Sequence, residues 1–339
     1  HISCIFIIKI IKDLNLEKEI NIDSIIKIIE HEYEVEYPTD NSGINIHNLF
    51  TSIISSCPID ADRMDYLLRD SYFSGVKYGI YDYSRLLMSI VPFEENNKVH
   101  LAFKESGLDP LIEFINARSN LFSQVYFHKT NRFFSAALKK SCRDVESEIV
   151  KIDDKKTIIE SLQSFYLKNS DNYFLDETLS KELVKEKNAE TRKYLIESII
   201  NRDIWKKIFE KKYIFSNVDL RINDVNKFSV FIEEKISELM ELENYSSNDF
   251  IIDIVSENNF KDIEKSRAKL LKKQSDDSYE LKDFLTSKEV LQPHHRIRYF
   301  IRVYTSKRIG DSLKEIKEKL KTTSLIMDEK HNEISSSIM

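Results

Sequence analysis

Apolar residues recur three and four apart over most of the first half of the chain, and that period predicts helices. The opening HISCIFIIKIIKDLNL is amphipathic, and Ile22 to Glu32 and Ile46 to Ser55 repeat the pattern on either side of a loop at Tyr33 to Gly43. Asp60 to Phe73 forms a further helix, Tyr81 to Val91 a short one, and Leu108 to about Val150 a long one with Pro110 in its first turn. Between the last two, VPFE–ENNK–VHLAF alternates about Glu95 to Lys98 and reads as a β-hairpin. Farther on, Lys155 to Lys168, Glu177 to Lys187, Ala189 to Lys212 and Val225 to Glu243 carry helical spacing. Phe250 to Val255, Ala268 to Lys272 and Arg296 to Thr305 run in strand fashion, with helices expected at about Glu280 to Glu289 and Ser306 to Lys321. Thr322 to Met339 reads as a frayed tail.

Wound at 100° per residue, Asp60 to Phe73 has two unlike faces. Met64, Leu67 and Leu68 give it an apolar back, while Asp62, Tyr66 and Asp70 stand four apart on the front with Arg63 beside them. Asp65 and Arg69 make an i,i+4 pair of favourable polarity. A solvated polar face would account for such a front. Its mix of two carboxylates, a guanidinium and a phenol at regular spacing also suits a binding surface. A second stripe lies on the helix from Leu108: with Arg118 at zero, Phe122, Tyr126 and Lys129 fall at about 40°, 80° and 20°. Two cations and two rings then share a stripe about 16 Å long, which would equally suit a core helix whose cations reach out to water.

DADRMDYLLRDSYFSGVKYG resembles the segment that carries the last metal-binding aspartate in HD-domain phosphohydrolases of the deoxynucleoside triphosphate triphosphohydrolase type, the group of the dGTPase-like enzymes and the SAM- and HD-domain dNTPase. Tyr126-Phe127-His128-Lys129 is similar to the Tyr-X-His-Lys that ends another helix of that family. The resemblance covers about the first 145 residues. It implies a mainly α fold, a helical HD-type core with a short β-hairpin, followed by a smaller carboxy-terminal α+β region. It also implies a divalent metal ion, with Mg, Mn, Fe, Zn and Ni not distinguished, and release of triphosphate from a dNTP. The metal ligand falls on Asp62. Substrate-facing positions fall on Arg63, Tyr66, Asp70, Arg118 and Tyr126, with Arg118 toward phosphate and Tyr126 against the sugar or base. Positions comparable to effector-binding ones fall on Arg85, Lys104, His128 and Lys129, in a family whose animal member is a tetramer bridged by nucleotides. The animal member has Lys where this chain has Arg63, and the family has His where it has Phe122.

No His-Asp dipeptide occurs in the chain, which begins at His1 without Met. The remaining metal ligands and the catalytic His-Glu pair are accordingly expected upstream of His1, and this chain alone is expected not to turn over dNTPs. On these grounds residues 1–150 read as the carboxy-terminal part of a phosphohydrolase core, 151–212 as a helical extension, 213–321 as a small α+β subdomain and 322–339 as the tail. A catalytically inactive nucleotide-binding or sensing subunit, or a phosphohydrolase acting on another nucleotide, fits the same residues.

Composition narrows the picture. Only 5 Gly and 5 Pro in 339 residues argue for long helices. A net charge of −6 argues against a general nucleic-acid binder. Cys4, Cys57 and Cys142 show neither disulfide nor metal spacing, as expected of thiols in a reducing cytoplasm. No apolar run is long enough to span a membrane. His31 and His47, the basic cluster at Lys269, Lys272 and Lys273, and the run His294-His295-Arg296 all read as ordinary surface or core groups.

Overall fold

The structure, a computed structural model, describes residues 2–30, 44–54, 59–142, 160, 166, 167, 175, 189–215, 222–246, 248–258, 269–275, 278–283, 297–306 and 313–336. The expected helices over 155–168 and 177–187, the loop over 33–43 and the His294-His295-Arg296 run lie wholly or largely outside these residues. The chain divides into two compact units that interleave in sequence, His1–Val125 with Asn258–His295, and Tyr126–Glu257 with Arg296–Met339.

The first unit begins with α1 (Ile2–Asp13), α2 (Ile22–Ile29), α3 (His47–Ile54), α4 (Ala61–Ser74) and α5 (Tyr83–Ser89). Next comes a hairpin of β1 (Ile90–Glu95) and β2 (Lys98–Lys104), then α6 (Leu108–Leu121). Asn96 and Asn97 hold φ of 53° and 60° at the hairpin turn, as a two-residue loop of the primed type requires, and Asn tolerates that region. The expected hairpin is thus present, with Glu95 opposite Lys98. Its sheet continues with β5 (Lys269–Lys273), parallel to β2, and β6 (Tyr279–Asp283), antiparallel to β5. Leu67, Leu86, Phe103, Leu111, Phe114 and Leu121, all fully buried, form the interior of this unit.

The second unit holds α7 (Lys129–Ser141), α8 (Ala189–Ile200), β3 (Lys206–Phe215), α9 (Ile222–Leu242), β4 (Phe250–Asn258), β7 (Ile297–Thr305) and α10 (Leu313–Ser336). Its sheet runs β3-β7-β4. Tyr299, Ile301 and Val303 of β7 pack with Phe228, Ile232, Ile316 and Leu320 of α9 and α10. Tyr304, next in the alternation, packs with Phe133, Leu195 and Trp205 beside α7 and α8. Burial on both faces accounts for the apolar runs of these strands.

A mainly α chain built on a helical HD-type core is not what the structure contains. Seven strands in two sheets stand among the described residues, and the architecture is mixed α and β. The helix expected through Lys212 ends at Ile200, the chain turns at Arg202 with φ of 53°, and β3 follows. A run such as KKIFEKKYIF suits either state alone, and pairing along its whole length with β7 makes it a strand. Glu280 to Asp283, expected as helix, pair with β5 instead. Thr322 to Ser336, expected as a tail, continue α10 and bury Ser324, Met327 and Ile334. No helix among the described residues is long and apolar enough to cross a membrane.

Candidate functional site

The motif helix α4 is built from both ends. Asp60 sits at its N-cap in extended conformation, and its carboxylate accepts the Arg63 backbone N–H at 2.7 Å. The same carboxylate lies 3.5 Å from Arg63 Nε and is itself 6% exposed. One buried acid therefore caps the helix and fixes the root of the Arg63 guanidinium. At the other end Gly75, with φ of 70°, closes the helix by donating to the Ser71 and Tyr72 carbonyls.

Between the caps the expected apolar back is only partly buried, and the polar positions beside it are covered to a similar degree. Leu67 is fully buried and Met64 and Leu68 half-buried, while Arg63, Tyr66 and Asp70 are half-buried and Asp62 is exposed. Asp65 accepts from Arg69 Nε at 2.9 Å on the outer surface. The polar tail of the motif turns back and locks the helix. Gly79 donates to Ser71 Oγ at 2.8 Å. It lies so near that a Cβ there would come within 2.5 Å of the Leu67 carbonyl oxygen. Tyr81, buried, donates to the Met64 carbonyl at 3.0 Å and packs edge-on against Phe114 of α6 at 5.0 Å. Burial pushes its phenol well above the ordinary range, with the Asp65 charge adding to the effect. It therefore stays a hydroxyl donor through the working pH range.

Arg118 lies on α6, which packs against α4 in the same unit. Its guanidinium stands 4.9 Å from the centre of the Phe122 ring, as the wheel places it. The rest of the expected stripe does not follow. Phe122 to Tyr126 widens into a π-type turn, and α7 starts afresh at Lys129 with the His128 ring capping Thr130 N–H at 3.4 Å. One widened turn and one break rephase everything beyond Phe122, so the 100° wheel does not apply to Tyr126 and Lys129. Tyr126, His128 and Lys129 belong to the second unit. Arg85, Lys104, His128 and Lys129, the positions compared with effector contacts, are all exposed.

The structure thus gathers Asp62, Arg63, Tyr66 and Asp70 on one helix and sets the Arg118 helix against it. Among the described residues no three His, Cys, Asp or Glu side chains come together to hold a metal ion. Asp62 is a single carboxylate, and one carboxylate competes weakly with water for a divalent cation. The described residues by themselves do not make up the metal centre that the resemblance implies.

No family model matches the chain. It is 31% identical over 191 residues to the uncharacterized protein MJ1154 of Methanocaldococcus jannaschii, a match covering 56% of this chain and 41% of that protein. It is 44% identical over 89 residues to the uncharacterized protein YwfO of Bacillus subtilis, covering 26% of this chain and 19% of that one. The chain therefore spans less than half the length of these curated relatives. A crystal structure of a hypothetical protein from Aquifex aeolicus superposes with a TM-score of 0.57 at 23% identity, over 92% of this chain and 70% of that one. That likeness establishes a shared fold.

Three supports of the site escape a reading of the sequence. Asp60 is one, although Asp three residues before Arg63 is a capping signal. Gly79 and Tyr81 are the others, since their contacts with α4 depend on the chain folding back on itself. A cluster of cations also escaped: Arg132, Lys139 and Lys140 stand at i, i+7 and i+8 on α7, a helical face that is legible once the helix is known to start at Lys129.

Proposed function

We propose that the first unit, with Arg63, Tyr66, Asp70 and Arg118, supplies the nucleotide-binding part of a phosphohydrolase that acts on deoxynucleoside triphosphates. What carries this reading is the anchoring of Arg63. Its guanidinium is held by a buried carboxylate at the first turn of a helix fixed at both ends, so little freedom is left to lose when phosphate oxygens arrive. Asp62, Tyr66 and Asp70 succeed one another along the same face over roughly 12 Å at 1.5 Å per residue. That length suits a ligand with phosphates at one end and a sugar at the other. A planar guanidinium forks onto phosphate oxygens, and a phenol and a carboxylate suit ribose hydroxyls. The resemblance of Asp60 to Gly79 to dNTP triphosphohydrolases supports the same assignment.

The test is a calorimetric titration of the full chain with dGTP, GTP and inorganic triphosphate. Arg63→Ala and Arg118→Ala should each weaken all three by about 1.5–3 kcal/mol, the range for hydrogen bonds to charged groups. Tyr66→Phe and Asp70→Asn should change the dGTP-to-GTP ratio and leave triphosphate alone, because a bond to one hydroxyl discriminates only between ligands that differ near it. If Asp70→Asn abolishes triphosphate binding while Arg118→Ala leaves it intact, the reading is wrong.

Asp62 and Asp65 lie three apart on α4 and are both exposed, so they differ in the role assigned to them and not in burial. In any preparation that hydrolyses dNTPs, Asp62→Ala should abolish turnover. Asp65→Ala, which removes only an exposed ion pair with Arg69, should leave turnover near the parent value. Equal losses in a steady-state assay would place the working face elsewhere on α4.

A further inference from the structure

Within the second unit, α7, α8, α9 and β4 surround a cavity of about 290 Å³ that the nucleotide assignment does not involve. We propose that this cavity is a binding site for a phosphate-bearing anion. Four cationic side chains line it, Arg132, Lys139, Lys140 and Arg192, against two carboxylates, Glu233 and Asp253. Asp253 is already committed: it accepts from Arg132 Nε at 3.1 Å and lies 3.9 Å from Arg302. Glu233 is exposed. The lining therefore carries a surplus of positive charge close to the cavity wall.

Arg192 sets the chemistry. It is 7% exposed, and its Nε donates to the Ser141 carbonyl at 2.8 Å, a neutral acceptor. Burying a guanidinium against a neutral partner is costly, and an anion entering the cavity would offset that cost. Lys140 donates to the Phe250 carbonyl at 2.7 Å, which holds its ammonium on the β4 side of the cavity. Lys139, exposed and adjacent on α7, stands at the mouth. A guanidinium with two ammonium groups is the donor set that phosphate oxygens recruit. The Phe250 ring, also in the lining, offers an apolar surface for an organic moiety attached to the phosphate. At its volume the cavity is near the small end of ligand sites. It suits a small phosphorylated molecule or a short polyphosphate, with no reaction required of it.

The experiment is titration of the full chain with inorganic pyrophosphate and tripolyphosphate, in the parent and in five variants. Lys139→Ala should weaken tripolyphosphate by three- to tenfold, and Lys139→Ala with Lys140→Met by thirtyfold or more. Arg63→Ala, on α4, should leave a binding event of parental affinity that Lys139→Ala then weakens. Lys314→Ala, at an exposed cation on α10 that is not part of the lining, should change nothing. The proposal is overturned if no event survives Arg63→Ala, if Lys314→Ala costs as much as Lys139→Ala, or if neither polyphosphate binds at all. If Arg63→Ala changes no binding event while Lys139→Ala still weakens one, the nucleotide assignment fails and this one stands.

Discussion

Asp253→Ala is expected to lower the stability of the second unit by about 3–5 kcal/mol, the cost of removing one partner from a buried ion pair. Asp253 is 3% exposed on β4 and holds Arg132 of α7, with Arg302 of β7 at 3.9 Å. Arg302, itself 3% exposed, donates from Nε at 2.9 Å to the carboxylate of Glu210, its direct partner on β3. Deleting the carboxylate leaves the Arg132 and Arg302 guanidinium groups close together without the acid they share, and Arg302 stays buried. Trp205, the only tryptophan, is 1% exposed in the same unit and reports its unfolding. Urea denaturation followed by Trp205 fluorescence should show the transition at lower urea with an unchanged slope. Adding Arg132→Met should recover part of the loss. A shift below about 1 kcal/mol would mean that the charges are far better solvated than their burial indicates.

Gly79→Ala is expected to be the most damaging single change in the motif, at about 2–3 kcal/mol, the upper range for forcing an extra methyl into a packed site. The new Cβ would lie 2.5 Å from both the Leu67 carbonyl oxygen and Ser71 Oγ. Ser71 can rotate away, but a carbonyl in the middle of α4 can move only with the helix. Gly75→Ala is the useful contrast. Its φ of 70° carries a penalty of about 1 kcal/mol, yet no atom lies within 4 Å of the added methyl. Amide hydrogen exchange over α4 should therefore rise much more for Gly79→Ala, and triphosphate affinity should fall with it. Equal exchange in the two variants would show that the close approach does not hold the helix.

The sequence makes local structure plain where its signals are local. The 3.6-residue period of Met64, Leu67 and Leu68 marks α4, and Asn96-Asn97 between alternating residues marks the β1–β2 turn. Lys206 to Phe215 fail that test because the run is short enough for either state, and the deciding partner, β7, lies some ninety residues on. The break after Tyr126 has no Gly or Pro to announce it, and a single widened turn was enough to mislead the wheel. The last stretch of α10 was legible after all: Leu320, Ser324, Met327 and Ile334 keep to one buried stripe among lysines and glutamates. The front of α4 was readable residue by residue. Its supports at Gly79 and Tyr81, and the cavity bounded by Arg132, Arg192 and Asp253, bring together segments whose separation in the chain hides their proximity.

The parallel pairing of β2 with β5 joins Ala102–Lys104 to Lys269–Leu271, so one of the sheet's three strand pairings is made across about half the length of the chain. During synthesis β2 leaves the ribosome long before its partner exists. Until then it presents an unpaired edge with the fully buried Ala102 and Phe103 beside it, the kind of strand that associates with copies of itself. Cutting the gene after residue 150 to isolate the motif would make that transient edge permanent. The first unit is better obtained from the whole chain, or by supplying residues 258–295 as a second piece during refolding.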